Sequence, residues 1–338
     1  MKTKLIAIGN RDKFNISSVT IIAQQIRKIL GQTGLGLLVA LVVELILFST
    51  LSPYFFTATN FANIGRAVTI VGIASVGATI IIISGGFDLS VGSIMAASGM
   101  LAAFVVNQGQ STLLAGALSL CLGCLIGLLN GFIIAYFRIN PLIATLAMLS
   151  IVRGLAYIIS DGGAIVISNR TFLAIGTDDF FGFPLTVWLC GILFLSMGSL
   201  MPRTRLGRYA YAIGSNSRAA RLAGILVNRW ILLFYIISGA TAALAGFITV
   251  SRTGTGEPNA NIGAELDIIT AVILGGTSLS GGKGKLLGTF LALAVLAFLA
   301  NGLILVGVPS YWQLPVKGFV LMGAIIWGEI RRTSRDML

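Results

Sequence analysis

The side chains that most often perform chemistry in proteins are scarce in this sequence. It has no His and three Cys among 338 residues, which excludes a His-based metal site, a His proton relay and a Ser-His-Asp triad. Cys121 and Cys124 have the CxxC spacing of a redox pair or of half a zinc site. They lie in the apolar run LSLCLGCLIGLL without polar ligands beside them, so we interpret them as small buried hydrophobic residues on one helix face. No metal site is predicted.

A glycine-rich stretch, GGTSLSGGKGK at residues 275–285, comes nearest to a phosphate-binding loop. A P-loop needs a Gly, four further residues and then Gly-Lys followed by Ser or Thr. Gly282-Lys283 has Thr277 at the first of these positions and Gly284 at the last, so both outer elements are missing. The stretch therefore predicts a tight turn, and no cofactor is expected to bind this chain.

Two ionisable residues lie deep within apolar runs, Glu44 in LVALVVELILF and Arg153 in LSIVRGLAYII. A proton- or ion-coupled carrier usually has several such groups, often paired. Glu44 could be a coupling acid, or an acid that packs between helices or faces a lumen, neutral or paired with Arg153. Because two such residues are few for ion coupling, we expect the driving energy to come from another subunit.

Composition identifies the elements that must position these residues. Apolar residue types make up 56% of the chain and charged types 10%, whereas a globular domain has about a quarter charged residues. The chain lacks the polar surface of a soluble fold and is predicted to be a polytopic membrane protein. Its net charge of +12 does not indicate a nucleic-acid binder, because the cations lie between apolar runs and not on one soluble face.

Apolar runs near the length of about 20 residues that crosses a bilayer predict an all-α bundle of about ten transmembrane helices. The spans are expected near residues 33–52, 64–84, 89–107, 112–136, 142–160, 185–201, 230–250, 266–277, 286–306 and 314–330. The eighth is too short to cross alone and ends at Gly275-Gly276, so it could be re-entrant or broken.

The distribution of cations predicts the orientation of the bundle. Most of the 23 Lys and Arg residues fall on the inner side if the N-terminus is cytoplasmic, as the positive-inside rule requires. An even number of spans then places the C-terminus on the same side. We divide the chain into a cytoplasmic N-terminal tail (residues 1–32), one transmembrane domain (33–330) and a cytoplasmic C-terminal tail (331–338), without a signal peptide.

The predicted inner loop 203–229, RTRLGRYAYAIGSNSRAARLAGILVNR, contains six Arg and no acid. Gly214-Ser215-Asn216 interrupts it, and a short helix is predicted from Ser217, capped by Asn216 or Ser217. Its apolar side comprises Ala219, Ala220, Leu222, Ala223 and Ile225, with Arg218 and Arg221 beside it. A solvated, positively charged loop is the alternative, but we favour a docking surface for a cytoplasmic partner.

The stretch SGGFDLSVGS at residues 84–93 joins the second and third predicted spans. Asp88 or Ser90 could cap the following helix, and the glycines permit a sharp reversal. The spacing is equally compatible with a structural turn and with a gate at the inner face. The residues of such a gate would be Gly85, Gly86, Asp88, Ser90 and Gly92.

Small residues recur every four positions in the fourth predicted span, at Ser119, Gly123, Gly127 and Gly131. Such a ladder lets the backbone of a second helix approach closely. We predict that these residues serve helix packing.

Together, these motifs resemble the inner-membrane permease subunits of bacterial ABC importers for monosaccharides, the ribose-type branch with a BtuC-like, type II importer-like architecture. The stretches that carry the resemblance are 84–93, 141–154, 203–227, 263–289 and 301–313, within about residues 35–330. Phe87 stands where the family usually has a small aliphatic residue, and Ser215 replaces a more common Gly. These departures could affect the fit of substrate or partner.

The resemblance implies a transport subunit, not an enzyme, in the bacterial inner membrane. A periplasmic sugar-binding protein would deliver a monosaccharide, ribose or similar, to two permease subunits, either identical copies or two relatives. Two cytoplasmic ATPase domains, which bind ATP and Mg²⁺, would dock on the coupling loop 203–229. The implied coupling residues are Gly214, Asn216, Arg218, Ala219, Ala220, Arg221, Gly224 and Ile225.

A sugar path requires groups that hydrogen-bond to hydroxyls and an aromatic face. Asn130, Asn301, Tyr311 and Trp312 are candidates by depth and type. The alternative function is a secondary carrier driven by protons through Glu44. A membrane-embedded enzyme is disfavoured because acids and Cys do not cluster at one depth.

Overall fold

The computed structural model describes residues 16–312 and also residues 315, 316, 318, 319, 322 and 323, with the backbone alone for residues 16–33 and 310. Most of these residues are helical. The helices are α1 (Ile16–Leu51), α2 (Ala58–Ile83), α3 (Val91–Asn107), α4 (Thr112–Phe137), α5 (Pro141–Ser160), α6 (Arg170–Thr177), α7 (Leu185–Arg203), α8 (Arg205–Ser215), α9 (Ser217–Leu222), α10 (Val227–Thr253), α11 (Ala264–Leu274) and α12 (Leu286–Leu305). Short strands are β1 (Ile165–Val166), β2 (Asp179–Phe180), β3 (Phe183–Pro184) and β4 (Thr255–Gly256), and a 3-10 turn covers Ser310–Trp312.

Within the described ranges, seven helices are long and apolar enough to cross a membrane: α1 from Gly34 onward, α2, α4, α5, α7, α10 and α12. Each coincides with a predicted span. α3 has 17 residues and α11 has 11, fewer than the 20 or so that cross a bilayer. Within the predicted eighth span, 266–277, α11 ends at Leu274 and a turn follows at Gly275 and Gly276.

The two ends of the chain are described only in part. α1 continues from Ile16 through Leu51, so the predicted boundary between the N-terminal tail and the first span falls inside one helix. The predicted tenth span, 314–330, lies largely outside the described residues, and the C-terminal tail, 331–338, lies wholly outside them.

α10 is the centre of the bundle and packs against α2, α3 and α4. Its backbone lies directly against that of α4: a Cβ atom on Gly127 would lie 2.9 Å from the carbonyl carbon of Tyr235. Ser119, at the start of the predicted ladder, donates a hydrogen bond of 2.9 Å to the carbonyl oxygen of Ser98 on α3. The ladder therefore serves helix packing, as its spacing predicts.

α7 runs from one end of the bundle to the other. The hairpin of β2 and β3 precedes it, with Asp179 paired to Pro184, and α8 and α9 follow it. β1 and β4 pair antiparallel at the hairpin end, with Ile165 opposite Gly256. We call the end with α8 and α9 the α8 face, and the end with the four strands the strand face. At the strand face, Arg66 of α2 forms an ion pair of 2.7 Å with Asp179.

The structure corrects two expectations about side chains. Cys121 is exposed and Cys124 is half-buried, because the face of α4 that packs against α10 carries the glycine ladder and not the two cysteines. Both thiols are free. Arg153 does not pair with Glu44. Its Nη1 atom instead donates hydrogen bonds to the backbone carbonyl oxygens of Pro258 and Ala260. The buried Oε2 atom of Glu44 has no hydrogen-bond partner in the described part of the chain.

Candidate functional site

The segment 214–225 projects from the α8 face, and α9 forms its centre. The Asn216 side chain accepts hydrogen bonds from the backbone N–H groups of Arg218, at 3.1 Å, and Ala219, at 3.0 Å. These bonds satisfy N–H groups that have no partner inside the helix. The short helix predicted from Ser217 is confirmed, and Asn216 is the residue that caps it.

The surface of this segment combines an apolar tip with positive charge. Leu222 is 86% exposed, whereas Ala220 is buried and anchors α9 to the bundle. Gly224 has φ of +81°, a conformation that favours glycine. The exposed residues of the segment include Asn216, Arg218, Ala219, Arg221, Leu222 and Gly224, while Gly214 and Ile225 are half-buried. Such a surface suits a partner that offers an apolar pocket with acidic groups around it.

α8 connects this segment to the bundle through two aromatic residues. The ring of Tyr209 packs edge-on against Trp230 of α10, with 4.9 Å between centroids. The hydroxyl of Tyr211 donates a hydrogen bond of 2.8 Å to the carbonyl oxygen of Gly284. Burial raises the pKa of Tyr211, which favours the protonated phenol that can donate this bond.

Three glycines from three different connections meet behind the segment: Gly85 after α2, Gly214 in the last turn of α8, and Gly281 in the turn after α11. A Cβ atom on Gly281 would lie 2.9 Å from the Cα atom of Gly85 and 3.0 Å from the carbonyl oxygen of Gly214. The N–H group of Gly282 donates a hydrogen bond of 2.8 Å to the carbonyl oxygen of Ile83. We call Gly85, Gly214 and Gly281 the glycine junction. The backbones of α8, of the turn after α2 and of the turn after α11 are thus in direct contact.

A buried carboxylate lies just beyond the glycine junction, at Asp88. It accepts hydrogen bonds from the backbone N–H of Ser90 at 3.0 Å, the Ser90 hydroxyl at 2.5 Å and the Ser238 hydroxyl of α10 at 3.0 Å. The Asn130 side chain of α4 donates to the Ser90 hydroxyl at 2.9 Å. Burial raises the pKa of Asp88, and the bonds from Ser90 and Ser238 oppose that rise. We call Asp88, Ser90, Asn130 and Ser238 the Asp88 cluster.

The five predicted gate residues have different surroundings. Gly85 belongs to the glycine junction, and Asp88 and Ser90 belong to the Asp88 cluster. Gly86 lies against Ile81 and the Tyr235 hydroxyl, and Gly92 faces Asn261 and Glu265. Ser90 occupies the cap position of α3, which is one of the two predicted alternatives, but it makes no side-chain cap bond. Its hydroxyl donates to Asp88 and accepts from Asn130.

The four candidates for the sugar path do not come together. Asn130 is fully buried in the Asp88 cluster. Asn301 of α12 forms two hydrogen bonds with Asn60 of α2, at 3.0 and 2.9 Å. Tyr311 and Trp312 are exposed beyond the end of α12. The Asn130 and Asn301 amides therefore donate to different partners, and the Oδ1 atom of Asn130 is a buried acceptor without a partner among the described residues.

Several residues of the site carry no clear signal in the sequence. Ser238 and Tyr235 occur within the apolar helix α10. The hydroxyl of Tyr235 donates a hydrogen bond of 2.7 Å to the carbonyl oxygen of Phe87. The sequence does contain one signal for this region: the polar stretch GEPNANIGAE at residues 256–265, which separates two apolar runs. Within the described residues, no group of three or more His, Cys, Asp or Glu side chains could hold a metal ion.

Comparisons with known proteins identify the family of this chain. Residues 60–325 match the family described as branched-chain amino acid transport system / permease component. The chain is 43% identical to the ribose import permease protein RbsC of Escherichia coli (strain K12) over 86% of this chain and 91% of that protein. It is 40% identical to the L-arabinose transport system permease protein AraH of the same strain, over 89% and 92%, and 40% identical to RbsC of Bacillus subtilis (strain 168), over 86% and 91%. The comparison with solved structures finds no match.

Proposed function

This chain belongs to the branched-chain amino acid transport system / permease component family, and on that premise we propose that it forms the translocation path of an ATP-driven importer of monosaccharides. The observation that carries the proposal is its similarity, over 86% and 89% of its length, to permeases named for ribose import and L-arabinose transport. We propose ribose or a similar pentose as the substrate. The chain is a transport subunit and not an enzyme.

Features of this chain indicate which steps of transport belong to partner proteins. Its glycine-rich turn at 275–285 lacks the pattern of a P-loop, so ATP and Mg²⁺ bind to a partner. Two cytoplasmic ATPase domains dock on the 214–225 segment, where Leu222 and the two arginines are exposed. A periplasmic sugar-binding protein delivers the substrate at the strand face.

The arrangement in the bacterial inner membrane extends this proposal. We place about ten spans in a BtuC-like, type II importer-like bundle, with both termini in the cytoplasm and a second permease subunit beside it. Support comes from the charge distribution, because the arginine-rich loop 203–229 lies at the α8 face. The large exposed apolar side chains of the single chain suit contact with lipid and with a second permease.

Coupling between the ATPase and the sugar path passes through the glycine junction. ATP binding closes the ATPase domains and moves α9 and α8. Because Gly214 touches Gly85 and Gly281, this movement displaces the turn after α2 and with it Asp88. The bonds from Asp88 to Ser90 and to Ser238 of α10 then link the start of α3 to the central helix. Two discrete arrangements of these elements would account for alternating access.

Reconstitution in liposomes tests this function. The permease, the ATPase and the binding protein together should accumulate radiolabelled ribose or L-arabinose only when ATP and Mg²⁺ are supplied. A secondary carrier that works through Glu44 would instead accumulate sugar on a pH gradient with the permease alone. Uphill transport by the isolated permease would refute the proposal.

The docking role of the segment has a separate test. Replacing both Arg218 and Arg221 with Glu reverses two exposed charges and should abolish ATP-driven uptake while membrane insertion is retained. A bulky residue at Gly224, where φ is +81°, should do the same because it distorts the end of the segment. Replacing the same two residues with Lys keeps both positive charges and is the matched control. Normal uptake by the charge-reversed variant would disprove docking at this segment.

A further inference from the structure

A polar, irregular stretch of the chain passes from the strand face into the interior of the bundle. Gly256, in β4, lies against Met100 and Ala103 of α3, whereas the carbonyl oxygen of Asn261 lies against Gly92 near the other end of α3. Eight to eleven residues of α3 separate these contacts, so residues 256–261 descend by roughly 12 to 16 Å at 1.5 Å per residue. α11 starts from this depth.

α11 is consequently a half-span. Its 11 residues extend over about 16 Å, roughly half the thickness of a bilayer core, and it ends next to the turn that contains Gly281. Irregular backbone at membrane depth occurs only where protein buries it or where it lines a cavity. In transporters, discontinuous helices of this kind place their ends, and the substrate site, near the middle of the membrane.

Arg153 of α5 satisfies part of this irregular backbone. Its Nη1 atom donates to the carbonyl oxygens of Pro258, at 2.6 Å, and Ala260, at 2.7 Å. The guanidinium also interacts electrostatically with Glu265 in the first turn of α11. Arg153 and Glu265 thus place opposite charges near each other at this depth.

Two polar atoms beside Arg153 have hydrogen-bonding capacity that the described residues leave unused. The Oε2 atom of Glu265 is a buried acceptor without a partner, and the Nδ2 atom of Asn261 is a buried donor without one. Unpaired buried polar groups are rare in folded proteins, and each requires an explanation. Next to them, the hydroxyl of Tyr157 donates to the Asn259 side chain, and both of these residues are exposed.

We propose that Arg153, Tyr157, Asn259, Asn261 and Glu265, here called the half-helix cluster, bind the hydroxyl groups of a neutral monosaccharide within the translocation path. One sugar hydroxyl donates to Glu265 Oε2, and another sugar oxygen accepts from Asn261 Nδ2. The aromatic face of Tyr157 suits the C–H face of a sugar ring. This inference rests on the proposed function and names residues other than the path candidates expected from the sequence.

Uptake by the complete reconstituted transporter tests the cluster, with ribose and L-arabinose as probes. Glu265→Gln removes the charged acceptor and Asn261→Ala removes the donor. Because hydrogen bonds to a charged group are strong ones, Glu265→Gln should lower uptake at subsaturating sugar about tenfold or more, and Asn261→Ala several-fold. ATP hydrolysis without sugar should be unchanged. Glu257→Gln, the same substitution at an exposed position of the same stretch, should transport like the unmodified protein.

The outcomes distinguish this site from the function on which it rests. If the unmodified transporter moves neither sugar, the proposed function fails and the site with it. If it moves sugar and the Glu265 and Asn261 variants stay within twofold of it, or Glu257→Gln loses as much as they do, the site is wrong while the function stands.

A second measurement does not depend on how well these variants fold. Asn259→Cys, in a chain whose three native cysteines are replaced by Ala, should be labelled by a maleimide. Saturating ribose with the binding protein and ATP should slow that labelling at least fivefold. An unchanged labelling rate in a transporter that imports ribose would overturn the proposal.

Discussion

Leu222→Ala is expected to weaken binding of the ATPase subunit about 30-fold. Leu222 exposes 86% of its surface, so nearly the whole side chain is available for burial by a partner. Full burial of a Leu side chain contributes about 1.5–3 kcal/mol, and truncation to Ala removes most of this, about 2 kcal/mol. Since about 1.4 kcal/mol corresponds to a tenfold change in the dissociation constant, the loss is roughly 30-fold.

The free permease should not be destabilised by this substitution. The Leu222 side chain makes little contact within the chain, and exposed substitutions of this kind usually change the free energy of unfolding by no more than about 0.5 kcal/mol. Thermal unfolding in detergent checks this expectation. Leu195→Ala is the matched control, because Leu195 is 74% exposed but lies in the membrane-spanning helix α7.

The assay is a fluorescence titration of labelled permease in nanodiscs with purified ATPase, which yields the dissociation constant for each variant. The reasoning is refuted if Leu222→Ala binds within twofold of the unmodified permease. It is also refuted if Leu195→Ala weakens binding equally, because the effect would then not belong to the 214–225 segment.

Two further substitutions test the path from the segment into the bundle. Gly214→Ala places a Cβ atom 2.6 Å from the backbone nitrogen of Gly282, and we expect at least a tenfold loss of uptake with retained ATP hydrolysis. Gly198→Ala, in open space on α7, is its control, and equal uptake by the two variants would contradict the role of the glycine junction. Tyr211→Phe removes the bond to Gly284 and should lower the free energy of unfolding by about 1 kcal/mol. Because the pKa of Tyr211 is raised, this difference should be full below about pH 10 and shrink as pH rises through the raised pKa; a difference that grew with alkaline pH would contradict the assignment.

Features that depend on neighbouring residues in the chain were predictable. Apolar runs near 20 residues predicted the spans that the described helices α1, α2, α4, α5, α7, α10 and α12 bear out, because hydrophobic length and helix propensity are local properties. The start of α9 and its Asn216 cap follow from residues within one turn. The ladder of small residues on α4 predicted close packing against another helix, but it did not identify that helix as α10.

Contacts between distant residues could not be predicted in this way. Asp88 and Ser238 lie 150 residues apart in sequence, and the sequence of an apolar helix does not mark one Ser among others as the partner of a buried acid. The sequence also suggested Asn130 and Asn301 for one sugar path, but it could not show that their amides donate to residues as distant as Ser90 and Asn60.

The amino-acid sequence by itself determined that this chain is a helical membrane protein with a basic, capped segment and a glycine-rich turn that lacks the P-loop pattern. Hydropathy, charge and capping are properties of short stretches and act wherever those stretches lie. Only the tertiary structure decided that three glycines would meet behind that segment. It also decided that Arg153 would donate hydrogen bonds to the irregular backbone that precedes Glu265. Those contacts depend on how close the helices can approach one another, and side-chain volume across the whole bundle sets that approach.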